Sequence, residues 1–244
     1  MTARANAQQQ ANAASGNPRA RRSPLKPLPL DFYDRETAVV ARELLGAVLE
    51  CTHDGVTAQG RIVEVEAYLG PHDPACHAAV GLTARNRHLH GPPGTVYVYR
   101  IYGMHWCVNA VTREAGHGSA VLVRALAPLA GLEAMRDRRG GTHGASLANG
   151  PGKLCQALGI NGEHDGGRLD RGPVRILRPA AGPGAAQVPD EEIVVTPRIG
   201  ISQAPEWPLR YCVANDPHLS RAPRHFARYS VRDAEAWLRL HDLR

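Results

Sequence analysis

The chain has 244 residues, 43% of them hydrophobic and 21% charged, with a formal net charge of +6 at neutral pH. That length can bury a sizeable core, and no segment is apolar over the span a membrane helix needs. The basic balance points to an anionic partner, nucleic acid before an acidic membrane surface. Cys51, Cys76, Cys107, Cys155 and Cys212 are scattered without a CxxC pair. This removes the usual zinc and iron–sulfur ligand sets, argues against a disulfide framework and indicates a reducing compartment.

Residues 1–24 lack the apolar stretch of a secretory signal and read as a disordered basic tail, so a cytoplasmic, non-secreted protein is expected. Residues 25–244 read as a single domain. Asp34 is placed to cap a helix running to about Leu45, ended by Gly46. Strand-like runs follow over 47–52, 56–68, 95–101, 104–112 and 119–126. Pro128 is placed to open a second helix, PLAGLEAMRDRR, stopped by Gly140-Gly141. GPGKLCQALGI (150–160) predicts a short helix entered through a Gly-Pro-Gly turn. Residues 179–192 have loop composition, IVVTPRIGI is strand-like, and Ser230 with Asp233 forms a capping box for a terminal helix bearing Trp237 and Leu238. Strands cluster in the middle without a βαβ rhythm. The expected fold is α+β: a curved, mostly antiparallel sheet flanked by helices, with a protruding β-hairpin.

The segment RIVEVEAY (61–68) sets two acids in an otherwise apolar strand. Alternation puts Ile62, Glu64, Glu66 and Tyr68 on one face and Val63, Val65 and Ala67 on the other, which suits the core. The acids then face either water, as on an edge strand, or a cleft. The turn-rich LGPHDPACH that follows can return His77 over the same face, making a carboxylate, phenol and imidazole pocket suited to acid–base work. In TVYVYRIYGMHWCVNAV (95–111), Tyr97 reads as an ordinary strand residue, whereas Tyr102 precedes Gly103 at a hairpin tip and must project outward. An exposed aromatic near basic residues can stack on bases or wedge between them. Asn109 shares a face with His105, Cys107 and Val111 and needs a polar partner if buried. In the next strand Leu122 and Arg124 share a face. A buried Arg124 requires an anion, for which Glu66 is the natural candidate, as a structural ion pair or as part of a site.

EVEAYLG, RNR, PGTVYVYRIYGMHWCVN, VLVRALAPL and GPGKLCQALGI resemble, in this order, the alkyladenine (3-methyladenine) DNA glycosylase family from about Leu28 to Arg224. The resemblance implies a monomeric enzyme without metal or cofactor that flips a damaged purine from double-stranded DNA and hydrolyses its N-glycosidic bond. It implies Glu66 as general base, Arg124 holding the attacking water, and Tyr68, His77, Tyr99, Asn109 and Leu122 around the flipped base. Tyr102 corresponds to the intercalating tyrosine, and Asn109 to the asparagine that excludes normal guanine. Two positions depart from the family pattern. Gly152 stands where Ser is frequent, and His105 where Tyr is common, which implies a different pocket shape. Arg85, Arg87 and Lys153 are the candidate phosphate contacts. No lysine lies in the central strands, so lyase chemistry is not expected. The competing reading is a non-catalytic binder of damaged DNA, which would have no use for Glu66.

Overall fold

The computed structural model describes residues 24–179 and 187–243. The tail expected over 1–24 thus falls almost wholly outside the described residues, as does the middle of the loop expected over 179–192. The elements are β1 (Leu25–Pro27), α1 (Thr37–Leu44), β2 (Val48–His53), β3 (Val56–Tyr68), β4 (Val96–Ile101), β5 (His105–Thr112), β6 (Ser119–Ala130), α2 (Leu132–Arg138), α3 (Pro151–Leu158), β7 (Val174–Pro179), β8 (Ile193–Thr196), β9 (Arg210–Val213) and α4 (Val231–Leu240). The strands form one sheet in the order β1-β7-β2-β3-β6-β5-β4, with β9 pairing β3 and β8. Every pairing is antiparallel. The α+β expectation holds. Among the described residues no helix is long and apolar enough to cross a membrane.

β3 is the spine of the sheet, which corrects the edge-strand reading of its acids. β6 covers one edge from Gln59 to Tyr68, while β2 and then β9 share the other. Ile62, Val63, Val65 and Ala67 are buried on both faces of the strand, and so are Glu64 and Glu66. Three slips of register break the β3–β6 ladder, one at Gln59–Gly60 and two around Glu64. Ile62 faces Leu126 and Glu64 faces Ala125, so Val63 has no opposite number; Val65 then faces Val123, leaving Arg124 without one. Such bulges bend a strand and re-aim its side chains. The two around Glu64 sit where Arg124 meets both carboxylates.

The helices close the core. α3 begins with Pro151 in its first turn and ends at Gly159 with φ +78°, a left-handed position that glycine takes without a Cβ clash. It buries Leu154, Cys155, Ala157 and Leu158; each leucine contributes roughly 1.5–3 kcal/mol by leaving water. α4 is capped as expected, with Ser230 accepting from the Asp233 N–H. Two helix predictions shift. α1 starts at Thr37 after Glu36, not at an Asp34 cap. Pro128 does not open a helix: β6 continues to Ala130, and α2 starts after Gly131, whose φ is +73°. A Cβ at Gly131 would lie 2.6 Å from the Thr57 carbonyl oxygen, so the chain turns there because only glycine fits. β1, β7 and β9 are additions that the sequence reading does not contain.

Candidate active site

β3, β4, β5 and β6 lie side by side and present one face to a cavity of about 220 Å³. This is below the roughly 300–1,000 Å³ of drug-sized sites and suits a single planar heterocycle. Register explains who meets there. Tyr97 is opposite Asn109, Tyr99 opposite Cys107, Asn109 opposite Leu122, and Leu122 opposite Glu66. Paired residues share a face, so the aromatic, amide, aliphatic and acidic side chains form one continuous surface across four strands.

Glu66 is the floor. Its Oε2 accepts from the Tyr68 hydroxyl at 3.0 Å and from Arg124 Nη1 at 3.1 Å, and its Oε1 accepts from the Ile199 backbone N–H at 2.7 Å. Glu66 does not itself form the cavity surface, but all three partners do. Burial, reinforced by the charge on Glu66, pushes the Tyr68 phenol well above its ordinary pKa, so it stays protonated and donates. Burial works against the charge on Arg124, yet Glu66 and Glu64 outweigh it and hold the guanidinium protonated.

Glu64, one pleat away, is committed elsewhere. It accepts from Arg124 Nε (3.0 Å), Arg210 Nε (2.8 Å), and the Ser220 N–H and hydroxyl (2.6 Å each). Burial raises its pKa, but Arg210, Arg124 and Ser220 more than offset this and leave it below the usual carboxylate value. Held by four donors, Glu64 is a structural anion that anchors Arg124.

The walls are aromatic. His77 sits 4.5 Å from Tyr99, ring centre to ring centre and edge-on, and Tyr97 lies 5.5 Å from Tyr99. His77 Nδ1 shares a hydrogen bond of 2.9 Å with the Tyr97 hydroxyl. Desolvation first, and then the charge of Arg85, lowers the His77 pKa below its ordinary value, favouring the neutral imidazole. Tyr97 therefore belongs to the cavity, correcting its reading as an ordinary strand residue. The buried Asn109 amide donates to the Tyr97 carbonyl at 3.0 Å, and Leu122 completes the wall.

The rim carries the hairpin. Tyr102 and Gly103 both have positive φ, +51° and +70°, as a tight hairpin turn demands. Tyr102 is 81% exposed, and Met104 beside it is 66% exposed. Arg85 forms part of the cavity surface and donates to the Arg100 carbonyl at 2.9 Å, tying the loop after His77 to the hairpin. Arg87 is exposed and contacts His88 and the Ala84 carbonyl. Lys153, in the first turn of α3, donates to Asn149 at 2.8 Å. His105 does not line the cavity, contrary to expectation. It packs against Gly152, where an added Cβ would come within 3.0 Å of the His105 Cβ, so the two departures from the family pattern touch each other.

Sequence reasoning missed the segment Ile199–Gly200–Ile201, which closes one side of the cavity, and the ion pair that holds it. Arg198 and Asp73 are buried and joined at 2.5 and 2.8 Å. The charges in RIG and PHDP are visible in the sequence, but nothing in their spacing ties positions 125 residues apart. Among the described residues no three His, Cys, Asp or Glu side chains are grouped to hold a metal ion.

The chain matches the methylpurine-DNA glycosylase family model over residues 31–217. A protein of Methanoculleus marisnigri, provisionally named a 3-methyladenine DNA glycosylase, is 50% identical over 194 residues, covering 80% of this chain and 98% of its own length. One of Myxococcus xanthus with the same provisional name is 47% identical over 199 residues, covering 80% and 94%.

Proposed function

We propose, from the premise that the chain belongs to the methylpurine-DNA glycosylase family, that it flips an alkylated or deaminated purine out of duplex DNA and hydrolyses the N-glycosidic bond with Glu66 as general base. Family membership makes the protein a DNA glycosylase of base-excision repair, a hydrolase of N-glycosyl bonds. The substrates proposed are the 3-methyladenine, 7-methylguanine, hypoxanthine and ethenoadenine class. The observation that carries the reading is the Glu66 carboxylate, buried under an aromatic-walled cavity and hydrogen-bonded to three groups that line it.

For the N3- and N7-alkylated purines the chemistry needs little else. Alkylation at N3 or N7 leaves the purine cationic and ready to depart with the bonding electron pair. Water adds to C1′ as the C–N bond breaks, its proton passes to Glu66, and the carboxylate charge lies beside the developing oxocarbenium ion. Arg124, fixed by Glu64, helps hold the water. Tyr68, His77 and Tyr99 enclose the base, and stacking favours an electron-poor ring. Asn109 and Leu122 crowd the purine edge, and Asn109 excludes the 2-amino group of normal guanine. Tyr102 fills the gap left in the stack, which offsets part of the few kcal/mol that extrusion costs. Arg85, Arg87 and Lys153 contact phosphates without reading sequence. The protein acts as a monomer, without metal or lyase activity.

The test is Glu66→Gln on duplexes each bearing one lesion, with EDTA present. Single-turnover excision is expected to fall about 10²–10⁴-fold while the Kd for lesion DNA stays within a few-fold. Excision by the variant at the wild-type rate would remove Glu66 from the mechanism, and a wild type that binds but never excises would leave the non-catalytic reading.

A further inference from the structure

The geometry points to Arg198 as a positioning residue for the general base, acting through the backbone N–H of its neighbour Ile199. This rests on Glu66 being that base. An ionised carboxylate offers about four lone-pair sites. On Glu66 three are filled, two on Oε2 by Tyr68 and Arg124 and one on Oε1 by Ile199. The remaining site is on Oε1, so the oxygen that takes a proton from water is the one whose direction Ile199 fixes.

Ile199 is held in turn by Arg198. The Arg198 guanidinium forks onto both oxygens of Asp73, and its Nη1 also donates to the Ala67 carbonyl at 3.0 Å, immediately after Glu66 in β3. Its Cζ lies 4.7 Å from the centre of the Tyr68 ring, over the phenol that donates to Glu66. Asp73 accepts from the N–H groups of Leu69 and Ala75, which fixes the loop leading to Cys76 and His77 in the cavity wall. One buried cation thus joins β3, the wall loop and the 199–201 segment around the base. The Arg198 side chain has no solvent exposure, and its Nε has no partner among the described residues. A guanidinium serving stability alone, at a site with an unfilled donor, could be replaced by an apolar pair at little cost. Its contacts converge instead on the Ala67 carbonyl and the Tyr68 ring, beside the Ile199 N–H, so two of the three donors to Glu66 are set by it.

Two variants test this by single-turnover excision, Kd for lesion duplex, and Tm. Arg198→Lys keeps a cation opposite Asp73 but loses the fork; excision is expected to slow about tenfold, with Kd within threefold. Asp73→Asn/Arg198→Met removes both charges together, so no ion is left unpaired, and Asn keeps an acceptor for the loop N–H groups. Excision is expected to fall about 10²-fold, the scale of a 1 Å misplacement, with the protein folded and lesion binding retained. A double variant that excises at the wild-type rate would overturn the inference, as would a fully active Arg198→Lys. Failure of the parent reading is separately visible, since it would appear as a wild-type protein inactive on every lesion or as an active Glu66→Gln.

Discussion

The floor of the cavity and the tip of the hairpin are built on opposite principles. At the floor, Glu64, Glu66, Arg124 and Arg210 lie almost out of water in the middle of the sheet, and each charge is met by another. At the tip, Tyr102 is 81% exposed on the three-residue turn Tyr102–Met104. The floor needs a fixed aim, so it is locked by ions whose loss would be costly. On the proposed function the tip leaves water only when DNA arrives, and the fold spends nothing on it. Mutation should therefore separate stability from binding along the same molecule.

The sharpest way to break that contrast is Glu64→Leu. Removing the shared anion leaves two buried guanidiniums short of a partner, for which roughly 3–5 kcal/mol of stability is expected, a fall in Tm on the order of 10 °C. Thermal melting decides it, and an unchanged Tm would mean the network is dispensable. Tyr102→Ala should do the reverse. Its Tm should be unaltered, while the Kd for lesion duplex rises about tenfold, within the range of roughly 1–3 kcal/mol for one aromatic–base stack.

Lys153→Ala comes next. If this side chain contacts a phosphate, the slope of log K against log salt should shrink by about one, with similar effect on damaged and undamaged duplex. The pH dependence of stability is the smallest effect. The folded pKa of His77 is depressed below 6.5, so the unfolded chain takes up its proton first. The stability from a neutral His77 is complete above pH 6.5 and is lost as pH falls below that value. His117 and His164 are lowered in the same direction, so His77→Gln should remove only part of the fall in Tm between pH 7 and pH 5.5. Glu64, also depressed, adds a loss at more acidic pH, as the medium falls through its folded pKa.

The same contrast marks what could be read in the sequence. The tip is fully legible, because Tyr-Gly between two strand-like runs specifies a turn from local geometry alone. The span of β3 is also legible, since alternation and β-propensity extend over thirteen residues. Of the acids in it, Glu66 is legible through its expected pairing with Arg124, but Glu64 is not: its partners Arg210, on β9, and Ser220 lie about 150 residues away. β9 itself is hidden because its first residue is an arginine, which reads as exposed until its anion is known. β6 reads short because Pro128 suggests a helix start, although a proline is tolerated where a ladder is already irregular. Tyr97 reads as unremarkable because its partner, His77, lies on a loop whose return path no periodicity encodes.

The most direct measurement is the structure of Glu66→Gln bound to a duplex holding one ethenoadenine. The expected result is the modified base turned out of the stack into the cavity, between Tyr68 and the His77–Tyr99 pair and above the substituted side chain at position 66, with Tyr102 in the vacated step. A duplex bound with its damaged base still stacked, or a base lodged away from position 66, would contradict the assignment of Glu66 as the base that directs water to the sugar.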